Sequence, residues 1–124
     1  MRQFFVTSIS KIKSATYYSI QGLKTTFQNE FAFRLELLIA LIAAPVALFL
    51  GKTPVERALL ICCLFLIFIA ELLNSAIEMT LDRIDLSWHE LTRKGKDLAS
   101  AAVFVTIINA LVVWSVIIIP HFWS

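Results

Sequence analysis

The sequence predicts an all-α integral membrane protein, with three transmembrane helices preceded by an amphipathic surface helix, in a single domain that covers residues 1–124. The first observation behind this prediction is composition. Hydrophobic residues make up 59% of the chain, charged residues only 16%, and the mean hydropathy is +0.81, which is far from an ordinary soluble domain. The second is that the apolar residues are concentrated in three stretches of about 20 residues or more, the length that a helix needs to cross a hydrocarbon core.

Residues 4–28 have the periodicity of an amphipathic helix, because apolar side chains recur at three- and four-residue steps between Phe5 and Phe27. Gly22 is a point where this helix is expected to bend or split. The basic residues of its central and C-terminal parts are Lys11, Lys13 and Lys24. They suit anionic headgroups, so we expect the helix to lie on the membrane surface. The alternative is a fourth packed helix.

The three apolar stretches are the predicted spans. The first, residues 31–50, is expected to begin before Arg34, because the charge-free run that follows Glu36 is short for a span. The second, residues 58–81, is apolar in its first half and carries charge in its second. The third, residues 98–120, contains no charged residue across 23 positions.

The basic residues also predict the orientation. Five lie before or at the start of the first span and four between the second and third, whereas the other loop has two and the C-terminal tail none. Cytoplasmic loops carry the excess of lysine and arginine, so the N-terminus and the second loop are expected to face the cytoplasm. This topology explains the net charge of +2 better than nucleic acid does, since the sequence has no groove-reading motif.

Four polar residues lie on one helical face, in the second half of the second predicted span and directly after its end: Glu71, Asn74, Glu78 and Asp82. At about 100° per residue they fall within an arc of about 80°, and they extend about 16 Å along the axis, from roughly mid-membrane to the cytoplasmic boundary. The first half of the span offers nothing more polar than Cys62 and Cys63, which we interpret as packing residues. A channel or proton relay needs polar groups through the whole membrane, so the pattern favours a site at the headgroup level.

The cytoplasmic ends of the other two spans are polar as well. Asn29 and Glu30 precede the first span, and Lys96, Asp97 and Ser100 open the third. Carboxylates on separate helices, together with one lysine, suit a divalent cation bound to phosphates, because magnesium takes hard oxygen ligands and phosphate oxygens complete its shell. The residues alone therefore predict a phosphate site.

Structural explanations remain open for most of these residues. Glu30 has Arg34 as a possible partner at i+4, Asp82 and Asp97 have water, and Asn74 has a neighbouring helix. Glu71 is the exception, because a carboxylate in lipid is costly. Further residues with ordinary structural interpretations are Thr106 and Asn109 as helix-packing contacts, Trp114 as a lipid-facing aromatic, His89 as a loop histidine and Pro45 as a kink.

The stretches "NEFAFRLE", "ELLNSAIE", "DRI", "HEL" and "KDLASAAV" resemble, in order and spacing, the small bacterial membrane diacylglycerol kinases, over residues 11–122. The resemblance implies a multi-pass homotrimer of the inner membrane. It implies transfer of the γ-phosphate of ATP, with Mg²⁺, to the primary hydroxyl of diacylglycerol, giving phosphatidic acid. The implied partners are thus a membrane lipid and ATP, with no nucleic acid. A trimer would also give Glu71 and Asn74 more neighbours than three thin helices provide.

The resemblance also implies roles for individual residues. Glu71 matches the catalytic base, and Glu30 and Glu78 match metal-binding carboxylates. The candidates for ATP binding are Lys11, Tyr18, Glu30, Glu78, Trp88, His89, Lys96 and Asp97. The candidates for substrate binding or for lining the site are Asn74, Asp82, Ser100, Arg57 and Trp114. Two positions depart from the pattern. Lys11 replaces an arginine, which exchanges a bidentate contact for a point charge, and Trp88 replaces a tyrosine, which alters stacking on the nucleotide.

Three other functions are weighed against this one. Undecaprenol kinase is the nearest, with the same fold and chemistry on a polyprenyl alcohol, although the "DRI" and "KDLASAAV" stretches are closer to the diacylglycerol branch. A small transporter or channel conflicts with a polar strip that stops at half depth. A non-catalytic assembly subunit predicts that Glu71→Gln leaves function unchanged.

Overall fold

The structure, a computed structural model, describes residues 1–123 and consists there of four helices: α1 (Arg2–Asn29), α2 (Phe31–Leu50), α3 (Pro54–Ile84) and α4 (Glu90–Trp123). No strand occurs within these residues, so the all-α class is confirmed. Helices α2, α3 and α4 are long and apolar enough to cross a membrane, in agreement with the predicted number of spans.

Helices α3 and α4 extend beyond the apolar stretches that predicted them. Helix α3 begins at Pro54, where proline occupies the first helical turn and the side chain of Thr53 accepts a hydrogen bond of 3.2 Å from the backbone N–H of Glu56. Helix α4 begins at Glu90, well before its apolar run. Polar residues continue both helices past the hydrophobic segments, so hydropathy predicts the spans but not the helix ends. The membrane boundaries stay predictions.

Helix α1 is continuous, and Gly22 neither bends it into two helices nor ends it. A Cβ at Gly22 would meet nothing within 4 Å, so this glycine is not required by a close contact inside the chain. The chain leaves α1 at Glu30, whose extended backbone (φ −108°, ψ 113°) separates α1 from α2. The surface location of α1 on a membrane stays a prediction.

Helix α3 is the centre of the fold, because α1, α2 and α4 all pack against it. The buried apolar residues are few and mostly small: Phe33, Ala47, Leu60, Cys63, Ala70 and Ala99. Small side chains let helix backbones approach closely, which is how helices associate where lipid removes the hydrophobic driving force. Most large apolar side chains point outwards, as expected for a surface that faces lipid tails or another subunit.

Two polar contacts join α3 to α4 in the half that is distant from Glu71. The indole Nε1 of Trp114 donates a hydrogen bond of 3.2 Å to the backbone carbonyl of Leu60, and the Asn109 amide lies 3.6 Å from Cys63 Sγ. The interpretation of Asn109 as a helix-packing contact therefore agrees with the structure. The interpretation of Trp114 as a lipid-facing aromatic does not include this contact, in which the polar edge of the indole faces α3.

Replacing Trp114 by Phe is expected to destabilise the protein by about 0.5–1.5 kcal/mol, because it removes the donor to Leu60 while keeping an aromatic ring. The measurement is thermal unfolding in detergent. Trp123→Phe is the control, since Trp123 is 87% exposed and its loss should change stability little. Equal effects of the two substitutions would show that the hydrogen bond contributes nothing.

Candidate functional site

Helix α3 carries the candidate base at its middle. Glu71 is 4% exposed, and Glu30 and Glu78 lie near enough for their negative charges to act on it. Glu78 follows on the same face of α3, whereas Glu30 comes from the junction between α1 and α2. The structure thus brings together the three carboxylates predicted as base and metal ligands, from two parts of the chain. Their roles stay predictions.

A fourth carboxylate, which is not among the site residues predicted from the sequence, belongs to this cluster. Glu36 of α2 lies near enough to Glu71 for the two charges to interact, and its Oε2 is buried without a hydrogen-bond partner in the chain. The position of Glu36 near the start of the first span is typical of an interfacial charge. The signal that identifies it is an acidic residue inside a helix that crosses the membrane, which marks a functional site by default.

Asn74 and Ser75 add two unpaired polar atoms beside the carboxylates. Asn74 Oδ1 and Ser75 Oγ are both buried without a hydrogen-bond partner in the chain. The alternative that Asn74 bonds a neighbouring helix through this oxygen is therefore wrong for the single chain. Buried polar atoms are normally paired, so these two atoms indicate a place for a ligand, water or a second chain.

Lys96, the basic residue of the candidate site, is held by an ion pair. Lys96 Nζ of α4 lies 2.6 Å from Asp82 Oδ1 of α3, and its charge also interacts with Glu78. Asp97, the next residue, pairs with Arg93 at 3.1 Å. The alternative that Asp82 and Asp97 have only water as partners is wrong, although both side chains remain partly exposed.

Arg34 does not pair with Glu30. Its guanidinium donates instead to the backbone carbonyls of Phe27 and Gln28, at 2.9 and 3.0 Å, and so satisfies the last turn of α1. This contact fixes the corner between α1 and α2, and it leaves the carboxylate of Glu30 free for another partner.

The candidate nucleotide residues fall into two groups. Trp88 and His89 lie in the connection between α3 and α4, where Trp88 is 77% exposed and His89 Nδ1 accepts a hydrogen bond of 3.1 Å from the N–H of Leu91. His89 thereby caps α4. Lys11 and Tyr18 are exposed on α1, and within residues 1–123 no hydrogen bond or ion pair links them to the carboxylates.

The α3–α4 connection is also shaped by Asp85. Its Oδ1 accepts a hydrogen bond of 2.8 Å from the backbone N–H of Ser87, which holds the pKa of the Asp85 carboxyl below its usual range. This turn places Trp88 and His89 directly after the C-terminal end of α3.

Arg57 does not join the carboxylate cluster. Its Nε donates to the carbonyl of Gly51 at 2.8 Å, at the start of α3, roughly 21 Å along the helix from Glu71. Ser100, in contrast, lies one turn after Lys96 on α4 and is exposed. Of these two candidates for substrate binding, only Ser100 lies at the same end of the fold as Lys96 and Asp82.

An apolar cavity of about 410 Å³ lies between α2, α3 and α4. Glu36 is the one charged residue among those that line it, and Trp114 lines it from α4. The remaining lining residues are alanine, leucine, isoleucine and phenylalanine. A predominantly apolar pocket with one polar group suits a ligand that has an alkyl chain and a small polar head.

Three helices long and apolar enough to span a membrane, with the buried carboxylate of Glu71 beside three partly buried ones, define a small helical membrane protein with a polar site among its helices. The family model for prokaryotic diacylglycerol kinase matches residues 17–118, and the chain belongs to that family. The diacylglycerol kinase of Haemophilus influenzae is 44% identical over 108 residues, 87% of this chain and 92% of that protein. The diacylglycerol kinase of Escherichia coli is 41% identical over 116 residues, 94% and 95% of the two chains. The diacylglycerol kinase of Pseudomonas aeruginosa is 42% identical over 113 residues, which are 91% of this chain and 92% of that protein.

Proposed function

We propose that this protein is a lipid kinase that transfers the γ-phosphate of MgATP to the primary hydroxyl of diacylglycerol and forms phosphatidic acid. The observation that carries the proposal is the buried carboxylate of Glu71 between Glu30 and Glu78. Membership of the prokaryotic diacylglycerol kinase family, whose relatives named above are diacylglycerol kinases, favours this function over a channel, a transporter or an assembly subunit.

Glu71 acts as the general base. Its carboxylate takes the proton of the lipid hydroxyl while the hydroxyl oxygen forms a bond to the γ-phosphorus, and the bond from that phosphorus to the departing ADP oxygen breaks. Burial between three helices excludes water, so the lipid hydroxyl competes with little solvent for the phosphoryl group.

Glu30 and Glu78 would hold the Mg²⁺ that accompanies ATP. The residues fit this ion, because magnesium is usually bound by one or two carboxylates and by the phosphates of its substrate. When bound, Mg²⁺ neutralises charge on the phosphates. Lys96 adds a second positive charge at the same end of the site.

The apolar cavity supports a lipid acceptor. Its volume of about 410 Å³ accommodates part of an acyl chain, and Glu36, at its polar end, interacts with Glu71. A lipid lying in the cavity would therefore present its hydroxyl beside the candidate base. Glu36 is then expected to contact the polar head of the acceptor.

The working form of the protein is a homotrimer in the inner membrane with its N-terminus in the cytoplasm. The unpaired atoms of Asn74 and Ser75 and the exposed apolar faces of the helices support further subunits around the site. The distribution of lysine and arginine supports the orientation, and the lysines of α1 support a surface helix on anionic lipid.

The test is transfer of radiolabel from [γ-³²P]ATP to diacylglycerol or to undecaprenol in mixed micelles, with Mg²⁺ or with excess EDTA. Labelled phosphatidic acid is expected with diacylglycerol and Mg²⁺, and EDTA should abolish it because the phosphates then lack their cation. Preferential labelling of undecaprenol would support the proposed phosphate transfer but would identify undecaprenol, and not diacylglycerol, as the acceptor. Absence of labelling with both lipids would overturn the proposal.

A further inference from the structure

The ion pair between Lys96 and Asp82 links the cytoplasmic ends of α4 and α3 at 2.6 Å. Both side chains are partly exposed, with 37% and 45% of their surfaces accessible, so the contact is not forced by burial. Next to this ion pair the two helices lie close together, since a Cβ built on Gly95 of α4 would lie 3.1 Å from Leu81 Cδ1 of α3. The helix backbones therefore hold the lysine within reach of α3.

Lys96 faces two carboxylates on α3. Glu78 and Asp82 are four residues apart, so they lie one turn from each other on the same face of the helix. The lysine contacts Asp82 directly and interacts with Glu78 at longer range. A flexible four-carbon side chain at this distance is able to bond either carboxylate.

We propose that Asp82 is a positioning residue: it holds the Lys96 ammonium one turn away from Glu78 and thereby leaves the Glu78 carboxylate free to bind a divalent cation. The inference rests on the proposed function, in which Glu78 is a metal ligand. It gives Asp82 a role through Lys96 and not by contact with substrate. The same contact keeps the ammonium close to where phosphates bound by the cation would lie.

Neutralising Asp82 removes the ionic partner of Lys96 and leaves Glu78 as the carboxylate that attracts the ammonium. Lys96 would then compete with the cation for the same oxygens. The affinity for a divalent cation should fall, and it should fall only while Lys96 is present.

The experiment measures binding of Mn²⁺, as a stand-in for Mg²⁺, to the full-length protein in detergent, from the electron paramagnetic resonance signal of free Mn²⁺. Asp82→Asn is expected to raise the dissociation constant about 3- to 5-fold, the range of a partly exposed ion pair. In the Lys96→Met background the same substitution should change it by less than about 1.5-fold. Asp82→Glu, which keeps the charge, should stay close to wild type.

Glu90→Gln is the matched control, because it removes an exposed ion pair with Lys94 on α4 and should leave Mn²⁺ binding unchanged. Unfolding temperatures establish that each variant is folded. An unchanged dissociation constant in Asp82→Asn would overturn the inference, and so would an equal rise with and without Lys96, which would mean that Asp82 acts on the cation itself. Binding is measured without lipid or turnover, so failure of the protein to phosphorylate diacylglycerol is a separate result.

Discussion

Replacing Glu71 by Gln is expected to lower the turnover number for phosphate transfer to diacylglycerol by at least about 10²-fold. The amide has nearly the size and shape of the carboxylate, but it cannot accept the proton of the lipid hydroxyl. The KM for ATP should change little, because the lost interaction develops in the transition state and not in the ground state. Initial rates of radiolabel transfer in mixed micelles, over a range of ATP concentrations, give both quantities.

Glu56→Gln is the matched control for this substitution. Glu56 is a glutamate of the same helix, at its other end, where it accepts a hydrogen bond of 2.7 Å from the backbone of Lys52 and lies 3.5 Å from His121 Nε2. Its loss is expected to affect the contact between the ends of α3 and α4 and to leave turnover unchanged. Normal turnover of Glu71→Gln would refute the assignment of the base even though the family is established.

The helices of this protein follow from the sequence because a bilayer restricts what a chain can form. In lipid every backbone N–H and C=O must be paired within the segment, so long apolar stretches predict helices with little competition from strands. The ends are different. Helix α4 begins at Glu90, in a polar segment. Its first residue is set by the cap, in which His89 accepts a hydrogen bond from the N–H of Leu91, and by local helix propensity. Hydropathy carries no information about either.

The candidate site was predictable where polar residues interrupt an apolar helix. Glu71 and Glu78 are conspicuous on α3 because the segment before them is apolar. Glu30 could be predicted as a site residue from its position directly before a span. Its proximity to Glu71, however, depends on the turn between α1 and α2, which hydropathy does not predict.

The partners of these side chains could not be predicted. Asp82 and Lys96 are 14 residues apart in sequence, and their contact depends on how α3 and α4 cross. The position of Glu36 near the start of a span is typical of an interfacial residue, whereas its burial beside Glu71 depends on how α2 packs against α3. The sequence around Trp114 likewise does not predict the hydrogen bond between its indole N–H and the carbonyl of Leu60. Sequence periodicity predicts the face of a helix, but it does not predict which residue of another helix that face meets.

Replacing Glu78 by Gln is expected to lower turnover by about 10²-fold at an Mg²⁺ concentration that saturates the wild type, because a neutral amide oxygen binds a hard cation far more weakly than a carboxylate. The measurement is a titration of the initial rate with free Mg²⁺ at fixed MgATP. A higher half-saturating concentration and partial recovery at high Mg²⁺ are expected, since the phosphates and Glu30 still supply oxygen ligands.

This recovery separates the two substitutions on α3. Excess Mg²⁺ can refill a weakened metal site, but it cannot restore a missing proton acceptor, so Glu71→Gln should stay inactive across the whole titration. Glu90→Gln again serves as the control, because it removes an exposed carboxylate that pairs with Lys94 at 3.0 Å. If Glu78→Gln lost activity with an unchanged Mg²⁺ dependence, Glu78 would not be a metal ligand. Asp82 would then have no metal ligand to keep free of Lys96.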